Sequence, residues 1–223
     1  MRQSLHIEDW AGWSASPLNQ PADPAHNLDA RIQTPLLPAM LRRRLDQAGQ
    51  AACEILALLD TRGDFPLVYA SRHGDVTGSL DMLSALAREE TISPARFSMS
   101  VHNAVIGVYS IARKHRSPIQ ALGACGDEFE ALMWEAQGYL SAGHDTVVVV
   151  FSEGDMPPEY AKHTEHPDSA CVVGLRLTAG RGRRLDSAPR EVAARPTPLD
   201  IMAWLESPEA VLAARQSWHL EHA

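Results

Sequence analysis

Few cysteines, no long apolar run and a shortage of positive charge mark this chain of 223 residues, and each absence removes a class of protein. The three cysteines, Cys53, Cys125 and Cys171, are odd in number, widely spaced and without a CxxC pair, which argues against a disulfide framework and against a structural zinc site. A reducing, cytoplasmic setting is the plain expectation. The longest strongly apolar run is TVVVVF at 146–151, far below the length of a membrane span, and the opening MRQSLHIEDWAGW has no apolar h-region, so no span is expected. With 20 Lys and Arg against 28 Asp and Glu the formal charge is −8, which makes nucleic acid a poor partner. No GxGxxG follows a strand, and neither GxxxxGK[ST] nor GxSxG occurs, so nucleotide-dependent and α/β-hydrolase readings have nothing to rest on and no cofactor is expected. His163 and His166 flank Glu165 in KHTEHPD, but the segment is a Pro-flanked loop and lacks the helical i, i+4 spacing of a zinc protease; no metal is expected.

What is present suits a globular core: 45% of residues are in the hydrophobic set and 22% are charged. Residues 4–13 alternate as a first strand, and a Pro-, Asn- and Asp-rich excursion follows over about 14–38. From Leu41 to about Gly63 a stripe of Leu41, Leu45, Ala48, Ala52, Leu56 and Leu59 predicts one amphipathic helix. PLVYAS at 66–71 reads as a buried strand, RHGDVTG as a loop and 79–89 as a second helix. FSMSVHNAVIGVYSIARKH after Pro94 predicts a largely buried helix with a basic, exposed end. A short strand in SPIQALGA leads to a helix over 127–142, then to strands in DTVVVVFSE and ACVVGLRLT. Strands alternating with helices argue for an α/β layered domain on one mainly parallel sheet, over 1–180, with 181–223 as a C-terminal tail holding one or two short helices.

Three stretches carry a resemblance. LRRRLDQAGQAACEILALL, SPARFSMSVHNAVIGVYSIARKHRSPIQALGAC and EFEALMWEAQGYLSAGHDTVVVVFSE resemble, in that order, the N-terminal half of a β-ketoacyl synthase, a thiolase-like fold. FSMSVHNAVIGVYSIARKHRSP is most similar to the ketosynthase-like chain length factors of aryl polyene biosynthesis. The resemblance implies half of a thiolase-like fold and a heterodimer with a full-length ketosynthase. The second half, which supplies the acid–base histidines or asparagine of a complete synthase, has no counterpart in the chain. A lone half is expected to leave helix faces uncovered, such as 101–112 or 201–214, for a partner to cover.

By the resemblance Cys125 occupies, or lies one residue from, the nucleophile position, where a helix N-terminus stabilises a thiolate. Asp127 and Glu128 suit a helix start better than a neighbouring thiolate, so Cys125 is read as a small residue retired from catalysis. The implied function is an accessory, non-catalytic subunit of a β-ketoacyl-ACP synthase complex in aryl polyene, polyketide or fatty-acid-like biosynthesis. Two alternatives stand beside it: an acyltransferase or synthase using Cys125, and an assembly protein without effect on chain length. Met99, Val105, Tyr109, Phe129 and Met133 are the candidates for lining an acyl tunnel. His102 and Asn103 are read as a core histidine and its neighbour, and His73 as solvated. An acidic acyl carrier protein has two basic patches to meet, Arg113, Lys114, His115 and Arg116, and Arg181, Arg183 and Arg184, though solvated charges explain both.

Overall fold

The apolar run at 146–151 is continuous because its strand is covered on both faces. In the computed structural model, which describes residues 4–16, 26–28, 37–207 and 211–221, β4 (Thr146–Glu153) is buried at every position. Val147, Val149 and Phe151 face one core, while Val148 and Val150 face the other. Around it lie β1 (Leu5–Ser14), β2 (Leu67–Ala70), β3 (Ile119–Leu122), β5 (Cys171–Thr178), β6 (Arg183–Pro189), β7 (Leu212–Ala213) and β8 (Gln216–Leu220). They form one eight-stranded sheet in the order β3-β2-β4-β5-β1-β6-β8-β7. Most of the excursion at 14–38 lies outside the described residues.

The layered α/β half-fold stands, but the sheet is mainly antiparallel, a correction to the expected strand sense. Among the described strands only β2 has parallel neighbours, β3 and β4, apart from an isolated parallel bridge between Gly12 and Asn27. β5 runs antiparallel to β4 and to β1, and β6, β7 and β8 continue antiparallel. Parallel neighbours need a crossover of a dozen or more residues, usually a helix. β2 reaches β3 through α3 (Val76–Ala87), α4 (Pro94–Phe97) and α5 (Ala104–Arg113), and β3 reaches β4 through α6 (Glu128–Ser141). After β4 only the four-residue α7 (Pro158–Ala161) intervenes before β5, so the chain returns antiparallel.

The helix expected over 41–63 is two, α1 (Ala39–Arg42) and α2 (Gln47–Leu59). Asp46 breaks it by capping α2, accepting from the Gly49 N–H at 2.7 Å. α2 lies so close to β5 that a Cβ on Gly174 would come within 2.3 Å of Ile55 Cγ2. The helix expected after Pro94 is likewise α4 and α5, with turns between them. His115 does not sit at an exposed basic end. Its side chain is fully buried, with Nδ1 3.4 Å from Asp60 Oδ2 but outside hydrogen-bond geometry; Asp60 Oδ2 accepts from the Tyr109 hydroxyl, which ties the end of α2 to α5.

The described residues beyond 180 hold one helix, α8 (Pro198–Glu206), and the strands β6, β7 and β8. The expectation of an uncovered face at 201–214 is corrected: Ile201, Met202, Trp204, Leu205 and Leu212 are buried against α6 and the sheet. Phe129 presents its ring edgewise to Trp204 and Trp218, at centroid distances of 6.1 and 5.4 Å. Glu130, buried on α6, accepts from the Trp218 indole N–H at 3.1 Å and the Gln216 N–H at 2.9 Å. The segment therefore covers α6 with its own aromatic residues. On 101–112 the outcome is mixed, with Ile106, Val108 and Tyr109 buried but Val101 and Ile111 exposed. Among the described residues no helix is long and apolar enough to cross a membrane.

Candidate functional site

β3 is one edge of the sheet, and the chain leaves it through Gly123–Asp127 to enter α6. Cys125 is exposed and holds φ = 52°, a left-handed conformation that costs a non-glycine residue about 1–2 kcal/mol. Gly126 follows at φ = 115°, a conformation that favours glycine, with the half-exposed Arg195 side chain lying over it. Asp127 pairs with Arg215 at 3.0 Å on the surface. Glu128 turns inward instead of facing solvent at the helix start. Its side chain is fully buried, Oε1 accepting from the Gly126 N–H at 2.8 Å and Oε2 from Arg72 Nε at 3.0 Å.

Arg72, in the loop after β2, is the hub of a buried polar network that the sequence reading did not single out. Its backbone N–H donates to Glu153 at the end of β4, and its guanidinium also donates to the Pro196 carbonyl at 3.1 Å. Glu153 lies 2.7 Å from His73 Nδ1, and His73 Nε2 lies 3.1 Å from Thr164 Oγ1, so His73 is a bridge and not a solvated loop residue. The signal was in SRHGD: three ionisable residues directly after a fully buried strand have the sheet's carboxyl end as their nearest surroundings.

An oxyanion or thiolate at Cys125 would call on the free amides at the start of α6, yet the Gly126 N–H is already committed to the Glu128 carboxylate. The other thiols are inert. Burial pushes Cys53 up to about 12, and Cys171 is pushed up by burial and by Glu153.

The five tunnel candidates do not share one cavity. Met99 and Val105 line a small cavity of about 70 Å³ with Asp46, Tyr69 and His102. It adjoins a wider groove of about 620 Å³ that shares Leu45 and Met99 with it and carries charges of both signs, Arg43, Arg44 and Arg96 against Asp46, Asp75 and Asp155. Tyr109 is buried in the core on this side of the sheet, whereas Phe129 and Met133 belong to the core on the other side. Helical spacing assigns each residue to a face of its own helix, and only the topology assigns α5 and α6 to opposite faces of the sheet. Asp46, at the cavity wall, has its carboxyl raised by burial, with Asp75 and Asp155 adding to the shift and the Gly49 N–H opposing it.

His102 is exposed, not a core residue, and lies in the turn before α5. Of the first basic patch, Arg113, Lys114 and Arg116 are exposed while His115 is withdrawn. In the second, Arg181 pairs with Glu8 at 3.0 Å and Arg184 with Asp186 at 2.9 Å. His166 bonds the Pro167 carbonyl at 2.8 Å, and no group of three or more potential metal ligands occurs among the described residues.

A family model described as β-ketoacyl synthase, N-terminal domain, matches residues 10–218. Among solved structures, the ketosynthase ApeO in complex with its chain length factor ApeC, from Xenorhabdus doucetiae, contains a chain 27% identical to this one; the match covers 98% of this chain and 99% of that one at a TM-score of 0.79. The ishigamide ketosynthase/chain length factor is 14% identical, over 83% of this chain and 67% of the other, at a TM-score of 0.59. A type II polyketide acyl carrier protein in complex with its ketosynthase, AntDE:AntF, is 12% identical over 80% and 63%, at 0.56. The latter two bear on the fold. No match was found among curated proteins.

Proposed function

This chain belongs to the β-ketoacyl synthase N-terminal domain family, and from that premise we propose that it is an accessory ketosynthase-like subunit, a chain length factor, that pairs with a full-length β-ketoacyl carrier-protein synthase in aryl polyene or related biosynthesis. One observation carries the reading. Between β3 and α6, where the resemblance puts the family nucleophile, the Gly126 amide is already held by the buried Glu128 carboxylate. The end-to-end match to a chain of a ketosynthase and chain length factor complex supports it.

In this reading the partner carries out decarboxylative condensation, and the present chain completes the dimer and shapes the far end of the acyl tunnel. Among the described residues β3 has no further strand on its outer side, and an edge of that kind accepts another strand. Ile119 on β3 is exposed, as is Ile111 on α5, the helix packed near it; Leu83 and Leu86 on α3 and Phe97 on α4, which the Arg96–Asp81 pair links to α3, are exposed apolar side chains as well. Met99 and Val105 are the tunnel candidates retained, because they line open space.

Co-expression with a full-length ketosynthase tests the reading: a one-to-one complex is expected, and Met99→Trp in that complex shortens the product. Product length indifferent to bulk at Met99 and Val105 would favour an assembly role instead. The exposed Cys125 in its left-handed turn favours one rival, acyl transfer by this chain. Rapid acylation of the isolated chain by an acyl-carrier thioester, located at Cys125 by mass spectrometry, would contradict the accessory role.

A further inference from the structure

The turn between α4 and α5 carries polar chemistry that the fold does not use. Val101 is 50% exposed and Phe97 65%, and between Val101 and α5 His102 and Asn103 are exposed as well. Asn103 occupies the N-cap position of α5, yet its side chain caps no backbone amide, although asparagine is among the best residues for that purpose. The His102 ring likewise makes no hydrogen bond among the described residues.

That ring is nevertheless closely seated. A Cβ on Gly74 would lie 3.3 Å from its Cε1, and one on Gly123 would lie 3.3 Å from its Nε2. Gly74 is also demanded by its backbone, at φ = 62°. Gly123 is not among the residues of positive φ, so backbone conformation does not call for glycine there, and its visible consequence is room for the imidazole. His102 is thus held at the end of β3, against a residue two positions before Cys125 and beside the open edge of the sheet.

We propose that His102 and Asn103 are the polar recognition pair of the ketosynthase interface, donating and accepting hydrogen bonds to groups that the partner brings to the end of β3. The assignment rests on the pairing proposed above and adds what selects the partner. Backbone bonds along an added strand are open to any chain, so discrimination must come from side chains at its margin. A ring already seated against Gly74 and Gly123, free of any protein partner among the described residues and next to the exposed Val101, loses little entropy on binding.

The test uses the full chain and a full-length ketosynthase, with affinity measured by calorimetry and melting measured on the chain alone. His102→Ala and Asn103→Ala are each expected to weaken binding at least ten-fold without moving the melting temperature. Gly123→Phe, which keeps the imidazole but fills the space it occupies, is expected to weaken binding as well, and Gly123→Ala, which presses on the ring only lightly, to weaken it less. Arg184→Ala, near the far edge of the sheet, should bind as wild type. Affinity within two-fold of wild type for His102→Ala and Gly123→Phe would overturn the assignment alone, whereas a wild-type chain that binds no ketosynthase would overturn the pairing and the assignment together.

Discussion

Removing the Glu128 carboxylate should be among the most damaging single changes in the chain. Glu128→Ala leaves Arg72, whose side chain is only 9% exposed, without its carboxylate, and leaves the buried Gly126 N–H without an acceptor. Breaking a buried ion pair by deleting one member costs about 3–5 kcal/mol. Arg72 keeps the Pro196 carbonyl, which holds the expected loss near the middle of that range, about 4 kcal/mol. For a chain of this size each kcal/mol moves the melting temperature by about 2–4 °C, so a fall of about 8–16 °C is expected. Urea unfolding followed by tryptophan fluorescence provides the assay, since Trp204 and Trp218 lie beside Phe129 on the same helix. The double variant Arg72→Met/Glu128→Gln removes both charges while a glutamine oxygen can still receive the Gly126 N–H, and it should recover most of the loss. A loss below about 1 kcal/mol for Glu128→Ala, or losses that simply add in the double variant, would refute the account of a coupled buried pair.

Other outcomes follow from the same structure. Trp218→Ala empties the space beside Phe129 and deprives Glu130 of the indole donor, and should cost about 3–5 kcal/mol in chemical denaturation. Asp46→Asn retains a cap for α2 and removes a carboxylate whose folded pKa is raised mainly by burial. Such a group favours the fold when protonated, below its unfolded pKa of about 3.9, and loses that contribution as pH rises through the raised folded value. The variant should therefore melt at or above wild type at pH 7 and show its smallest advantage near pH 3. Native iodoacetamide treatment at pH 8 should modify Cys125 alone by mass spectrometry, with Cys53 and Cys171 reacting only after unfolding.

How far the sequence discloses this molecule depends on whether the relevant signal is local. β4 and α6 are legible because each carries its burial pattern in consecutive residues: eight covered positions in one, and the Phe129, Leu132, Met133, Ala136, Leu140 face in the other. The break at Asp46 was missed because the apolar stripe continues across it, although an aspartate three residues before the Gly49 amide is a capping signal in its own right. The antiparallel sense of β5 could have been suspected from the absence of a long helical segment between 154 and 170. Arg72, Glu128 and Glu153 meet only when three strand ends are brought together, and nothing in their spacing of 56 and 81 residues announces it. Phe129 and Tyr109 were grouped as tunnel candidates because both lie on apolar helices. The sheet between those helices separates them.

The central claim is that this chain works by pairing and not by its own cysteine. Native mass spectrometry of the chain co-expressed with a full-length ketosynthase, after loading with an acyl-carrier thioester, tests both halves of it in one measurement. The account predicts a one-to-one complex with the acyl group on the ketosynthase and none on Cys125. A monodisperse chain that ignores the ketosynthase and carries the acyl group on Cys125 would contradict it.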